Sequence, residues 1–430
     1  MTGTLCRARF WLPLIALCAV VVSFATAAQA RTAAAPLKIK PVSVVTTFTT
    51  AKFTVPTSTA TTLNIGTGTD KTYLVGTPEN RFKTKHVVTV RGLSPNTNYY
   101  ALITVKNKAG KSAKVWKTFK TAAPGSAPAT VTSNGNKLLL NGQPFFGILT
   151  DAYNNPCPDN NTTQGSASLG AFIFDAEDDQ QFNCADGNPS DWGNSLNASL
   201  SGKAWWLERN AEAAQQLQSQ GLTELLNWQA TSERIESPSS RVYENPCSSS
   251  TQLFKVVSKD PKAAIFYQSL STYPISPGRT TCTTPANLSM AFWTLVAGGG
   301  AGIEYVTKDQ SGQFDVSGEL QTQAAKLSKE LAALGPAVLA GKKLTFGVSS
   351  STAVREGGWQ YGGVVYIVAV NTEPQPASDS FSMAGVGATA KAAQVMWEGR
   401  STKVVGGKIV DNFGPYAVHI YKVIPVIRNK

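Results

Sequence analysis

From residue 42 onward the chain alternates short Thr- and Val-rich runs with turn residues, a period-two pattern that predicts an all-β sandwich reaching residue 121. Its clearest strands are Thr61-Thr62-Leu63-Asn64-Ile65, His86-Val87-Val88-Thr89-Val90 and Tyr100-Ala101-Leu102-Ile103-Thr104-Val105. Asn107-Lys108-Ala109-Gly110 supplies a hairpin turn, and Phe119-Lys120-Thr121 a closing strand. Residues 123–130, rich in Ala, Pro, Gly and Ser, read as a linker. Past the linker, apolar runs alternate with stretches of helical spacing. Strands are predicted over 145–150, 171–175, 222–228, 263–269 and 302–306, and helices over 204–220 and 320–334. A third helix is predicted over 285–296, with Thr284 as its cap and Pro285 in its first turn. From residue 343 the β alternation returns, most clearly in Val364-Val365-Tyr366-Ile367-Val368-Ala369-Val370 and Ala417-Val418-His419-Ile420-Tyr421.

The first thirty residues fit neither pattern. Arg7 and Arg9 precede an apolar run over 10–24, which is followed by Ala28-Gln29-Ala30, a small-residue cleavage site. The run is short for a membrane span, so residues 1–30 read as a secretory leader and the remainder as extracellular, with no later membrane span. Cleavage would leave Cys157, Cys184, Cys247 and Cys282 in an oxidising compartment. Four cysteines allow three pairings; proximity in sequence favours Cys157 with Cys184 and Cys247 with Cys282.

Charge is unevenly spread. The whole chain carries +12, yet residues 31–123 hold 15 Lys and Arg against Asp70 and Glu79, whereas residues 124–430 hold 22 against 25 acids. The basic character thus belongs to the front module, which is expected to adhere to an anionic polymer; Lys on sheet edges that prevents aggregation explains the same bias.

Gly92-Leu93-Ser94-Pro95-Asn96-Thr97-Asn98-Tyr99 carries the Leu-X-Pro-X-Thr-X-Tyr arrangement of a tyrosine corner, in which a phenol ties a loop to the following strand. With the strands around it, residues 37–122 resemble a fibronectin type III domain, although the early Trp of that family's core is missing. Asn141-Gly142-Gln143-Pro144-Phe145-Phe146 is similar to the hairpin that opens the barrel of many glycoside hydrolases, and Ala301-Gly302-Ile303-Glu304-Tyr305 to the last strand of such barrels. The resemblance implies a (β/α) barrel over 131–341, about 210 residues in which five or six strands are legible. That is at the lower edge for eight strands, so a reduced barrel is an alternative. Asn412-Phe413-Gly414-Pro415-Tyr416 resembles the closing strand of the β-sandwich that follows these barrels, which implies a small sandwich over 342–430. The expected fold is therefore multi-domain.

Glycosidic cleavage commonly uses two carboxyl groups, placed in a barrel at the carboxyl ends of the strands. Asp151, the cluster Asp175-Ala176-Glu177-Asp178-Asp179, and Glu304 meet that test. Glu177 is the candidate general acid, since like-charged neighbours raise a carboxyl pKa, with Glu304 or Asp151 as partner; a solvated or calcium-binding loop explains the cluster equally. Asp175, Gln268, Tyr305 and Trp228 are candidate substrate contacts, Trp228 as a platform for a sugar ring. Glu224 and Glu233 are further acids that spacing does not select. Gln268 stands where related hydrolases often place a nucleophilic Glu, which favours a second class of function, a non-catalytic carbohydrate-binding or adhesion protein. A structural surface protein acting through the basic module is the third. With His86 and His419 as the chain's only histidines, a Ser-His-Asp triad or a multi-His metal centre is excluded; no cofactor or metal is expected, and the partner expected of a monomeric chain is a polysaccharide or cell-surface glycan.

Overall fold

The computed structural model describes residues 36–151, 160–176, 200–208, 211–230, 232–235, 251–259, 262–270, 282–307, 314–346, 349–382 and 392–424, with the single residues 198 and 390. The leader therefore lies outside the described residues. The chain divides into Met1–Pro36 and Leu37–Lys430. All described elements belong to the second unit. Among them no helix is long and apolar enough to cross a membrane.

The front module consists of β1 (Ser43–Thr46), β2 (Thr50–Gly68), β3 (Val75–Arg91), β4 (Asn98–Asn107) and β5 (Ser112–Lys120), all paired antiparallel. β2 and β3 form one long hairpin whose register shifts between Pro56 and Thr61. Pro56 lacks an amide hydrogen, so the ladder is weakest there, and β2 changes partners across the bend. Ahead of it β2 lies between β1 and β3; beyond it, between β3 and β4, with β5 outside. Phe53 and Val55 before the bend and Leu63 and Ile65 after it enter one core with Tyr99 and Ile103, so the two halves form a sandwich. At its corner the Ser94 amide donates to the Tyr99 hydroxyl at 2.8 Å, as the sequence predicts.

A meander of β6 (Thr130–Asn134), β7 (Lys137–Leu140) and β8 (Gln143–Phe145) follows. Asn141 and Gly142, both at positive φ, make the tight turn expected of an Asn-Gly pair. The central region then runs β9 (Gly147–Asp151), α1 (Asn160–Ser168), β10 (Ile173–Ala176), β11 (Trp205–Glu208), α2 (Ala211–Ser219), β12 (Asn227–Trp228), β13 (Ser232–Ile235), α3 (Thr251–Lys259), β14 (Ala263–Ser269), α4 (Pro285–Gly298), β15 (Gly302–Val306) and α5 (Gly318–Ala340). Six strands form a parallel sheet in the order β11-β10-β9-β15-β14-β13. The last strand, β15, closes onto the first, β9, as in a (β/α) barrel. Beyond β11, Leu225 bridges Trp206, but β12 pairs with β6 and leaves the sheet. Among the described residues the sheet is thus open and short of eight strands.

Two predicted boundaries change. Residues 205–208, expected to start a helix, form β11, whose Trp205, Trp206 and Leu207 are buried; a strand covered on both faces is a continuous apolar run and shows no period. The strand expected over 222–228 is reduced to β12 and the Leu225 bridge. The helix at 285 starts as predicted: Thr284 Oγ1 accepts from the Asn287 amide at 3.2 Å, with Pro285 next.

The C-terminal region comprises β16 (Lys342–Lys343), β17 (Val354–Tyr361), β18 (Val364–Asn371), β19 (Ala377–Ser382), β20 (Ala392–Val395), β21 (Arg400–Val405), β22 (Lys408–Phe413) and β23 (Val418–Val423). These join in one antiparallel path, β16-β17-β18-β23-β20-β21-β22-β19, rather than two separate sheets. Val365, Ile367 and Ala369 of β18 share a core with Phe381 and Ile409 from the far end of the path, so the sheet folds over on itself. The alternate residues Tyr366, Val368 and Val370 join the central core.

The front module packs directly against the central region. Pro336 interrupts the hydrogen bonding of α5, because it has no amide hydrogen for the Ala332 carbonyl one turn back. The Tyr99 hydroxyl donates to that carbonyl at 3.3 Å. Beside it Gly335 meets Gly92 backbone to backbone: a Cβ on Gly335 would lie 2.2 Å from the Gly92 oxygen. Thr69 Oγ1 donates to Lys329 O at 3.0 Å, and Lys422 Nζ to Leu74 O at 3.0 Å.

Candidate functional site

The parallel register decides which side chains share a surface. Leu149 pairs with Ile173 on one side and with Glu304 on the other, and Asp175, two residues past Ile173, pairs with Asp151. Because side chains alternate along a strand, Glu304 and Asp175 lie on the same face, and Asp151 occupies a register position on that face. This is the Leu149 face. A Cβ on Gly147 would meet both Leu149 and Leu138 of β7, so the three-stranded meander covers it where the strands begin. The opposite face is covered by helix, Phe174 and Trp206 packing with Leu217 of α2. Asp175 and the Asp151 position fall at the carboxyl ends of their strands, away from the meander.

Close approach of β15 to β9 depends on glycine. A Cβ on Gly302 would lie 2.8 Å from the Gly147 oxygen. Every residue of β15 is buried. Asp175 and Glu304 are each fully buried, and neither lacks a partner within the fold. Buried acids of this kind are rare unless paired.

Other predicted site residues are placed elsewhere. Tyr305 and Gln268 pair with each other, and Tyr305 with Thr150, on the face opposite Glu304. Both are buried, the Tyr305 hydroxyl has no hydrogen-bond partner among the described residues, and burial pushes its pKa up. Trp228 is partly buried and pairs with Val131 of β6, in the sheet that covers the start of the parallel strands. Glu224 is buried over Gly125, its Oε2 lacks a hydrogen-bond partner among the described residues, and burial raises its pKa. Glu233 holds a register position beside Ala264. Glu177, Cys157, Cys184 and Cys247 lie outside the described residues; Cys282 is buried and disulfide-bonded. Among the described residues no group of three or more His, Cys, Asp or Glu is placed to hold a metal ion.

A cleft of about 280 Å³ opens between α4, α5 and the turns of the C-terminal sheet. Trp293, Lys326, Glu330, Trp397, Glu398 and Tyr416 are among its lining residues. Trp397 (φ 62°) and Tyr416 (φ 55°) both have left-handed backbones. Glu398 is held from two sides: Oε1 against His419 Nδ1 at 2.6 Å, and Oε2 by Arg400 Nε at 2.7 Å. Arg400 Nη1 also donates to both oxygens of Asp411, at 3.1 and 2.8 Å, and the Tyr421 hydroxyl donates to Asp411 Oδ2. Burial of Glu330 raises its carboxyl pKa, partly offset by Lys326 and by a hydrogen bond from Trp293. Sequence reasoning missed this cleft. Its one signal is Gly414-Pro415-Tyr416, a proline turn with Tyr where Gly or Asn is usual.

No protein-family model matches the chain, and no curated protein matches its sequence. Solved structures with partial likeness are glycoside hydrolases. A cyclomaltodextrinase aligns with 90% of this chain and 99% of its own at 7% identity and a TM-score of 0.43. An endoxylanase from Clostridium papyrosolvens aligns with 70% and 100% at 12% identity and a TM-score of 0.32. An alpha-amylase from Anoxybacillus aligns with 60% of both chains at 12% identity and a TM-score of 0.34, so this chain spans less than two thirds of it.

Proposed function

We propose that the chain is a secreted, glycoside hydrolase-like protein acting on an extracellular polysaccharide by carboxylate chemistry, with Asp175 and Glu304 on the acid-lined face of the parallel sheet. The observation that carries this reading is the register: two fully buried acids share one face with one strand between them, Asp175 near the carboxyl end of its strand and Glu304 at mid-strand. Two inter-strand spacings and a two-residue step put their α-carbons roughly 12 Å apart. Side chains rising from the inside of a curled sheet close part of that gap, toward the span of about 5–10 Å that hydrolytic carboxyl pairs use. Asp151 and Glu177 complete the acidic set, Glu177 as the proton donor to the leaving oxygen. The front module is a fibronectin type III-like domain on this reading, supported by the partner change along β2 and by the Tyr99 corner. Its basic surface grips an anionic polymer: Trp116, 41% exposed, lies with Tyr100 beneath the Lys71 ammonium.

A second reading, a non-catalytic glycan-binding protein, is favoured by the parallel sheet, which among the described residues has six strands where a complete barrel has eight. Reducing-end release from a panel of polysaccharides separates the two. The hydrolase reading expects Glu304→Gln and Asp175→Asn each to lower release by about 100-fold or more. Release undiminished by both substitutions refutes the assigned roles, and binding with no release assigns the chain to the second reading.

A further inference from the structure

Two turns near the C-terminus place bulky aromatic residues where the backbone favours glycine. Ala417 N donates to Gly414 O at 3.2 Å, closing a turn with Pro415 second and Tyr416 third; a third residue at positive φ is the usual place for Gly. In the connection between β20 and β21, Trp397 and Gly399 are both left-handed, and the indole takes a conformation that Gly399 adopts without strain. The strained residues come from separate turns, yet both line the same cleft. Backbone strain of this kind gathers where a ligand is held.

We propose that this cleft binds a pyranose ring of a neutral polysaccharide, with Trp397 and Tyr416 as the apolar platform and Glu398, Lys326 and Gln323 as the polar rim. A sugar ring has an apolar face that lies on aromatic carbon, and hydroxyls around its edge that need donors and acceptors. Both are present. His419 and Arg400 fix the Glu398 carboxylate before any ligand arrives, and Gln323 is tied through Nε2 to Ser289 Oγ at 2.6 Å. Lys326 lies 3.8 Å from Glu330 and Glu398 is bound by Arg400, so the charges at the rim have opposite partners within the fold, which favours a neutral sugar. None of its lining residues belongs to the parallel sheet, which makes it a site separate from Asp175 and Glu304.

The test is a calorimetric titration of the full chain with cellohexaose, maltohexaose and xylohexaose, beside Trp397→Gly, Tyr416→Gly, Glu398→Gln and Glu304→Gln. Loss of one stacking ring is expected to weaken binding by about fivefold. Glycine relieves the left-handed strain but removes a ring packed on the central core, and in Trp397→Gly also the contact with Tyr73, so both variants are expected to melt lower while staying folded at the titration temperature. Glu398→Gln, which keeps both rings, should weaken binding without altering the fold, and Glu304→Gln should leave this binding unchanged. The proposal is overturned if no hexaose binds, if affinity survives in both ring variants, or if Glu398→Gln, melting as the parent does, also binds as the parent does. Binding that disappears in Glu304→Gln and persists in the ring variants belongs to the sheet, and overturns it as well.

Discussion

The front sandwich and the central sheet are both built of strands, but they hold together differently. In the front module most strands pair with a neighbour in sequence through hairpins, and inward residues such as Phe53, Leu63 and Ile103 alternate with more exposed positions. In the central sheet β15 pairs with β9, whose sequence lies more than 150 residues earlier, and acids are buried among apolar neighbours. One region is specified by local pattern; the other depends on backbone contacts between distant segments. Defects should therefore be tolerated in the first and costly in the second.

Gly302→Ala is the sharpest way to break that contrast. Its Cβ would press on the Gly147 carbonyl, and a loss of more than about 3 kcal/mol in denaturant unfolding is expected, with the parallel sheet failing first. A loss under about 1 kcal/mol would show that β9 and β15 can separate at little cost. Tyr99→Phe tests the junction of the two regions. It removes one hydroxyl and leaves both the Ser94 amide and the Ala332 carbonyl without that partner, for an expected loss of about 2 kcal/mol. If the variant melts as the parent does, the front module is not anchored through this phenol.

Per pH unit, the smallest effect falls in the antiparallel C-terminal sheet. Burial, and then the neighbouring Asp379, push the Glu356 carboxyl up to about 8. Asp379 accepts from Ser349 Oγ, from Ser350 through N and Oγ, and from the Ser351 amide, while Arg355 partly counters the shift at Glu356. The folded chain keeps a proton that the unfolded chain releases near 4.5. Stability from this group is thus full below pH 4.5, declines as pH rises to about 8, and declines no further above it. Glu356→Gln should flatten that slope, of at most about 1.4 kcal/mol per pH unit, and raise the melting temperature more at pH 8 than at pH 5. Equal shifts at both pH values would mean that Glu356 ionises normally in the fold.

Legibility in the sequence follows the same division. Short-range signals came through: the Tyr99 corner, the Asn141-Gly142 turn and the Thr284-Pro285 helix start are each set by neighbours in the chain. Glu304 is also found in a strand between apolar residues, as its alternation implied. Trp205 and Trp206 were hidden, because a doubly covered strand lacks period and the Ala-rich residues after it read as helix. Which face each acid shares depends on parallel register, and no local feature encodes that. Trp397 and Tyr416 were least visible, since a positive φ at a bulky residue leaves almost no mark on composition.

The vacancy that Pro336 opens in α5, filled by a phenol from the front sandwich, has a mechanical consequence. A module joined by a loose tether samples many angles; one bolted into a helix kink acts as an outrigger. On the proposed function, a filament gripped on the lysine-bearing side would enter along a single line of approach, so contour length between gripped point and reacting point would be fixed by the protein and not by the filament.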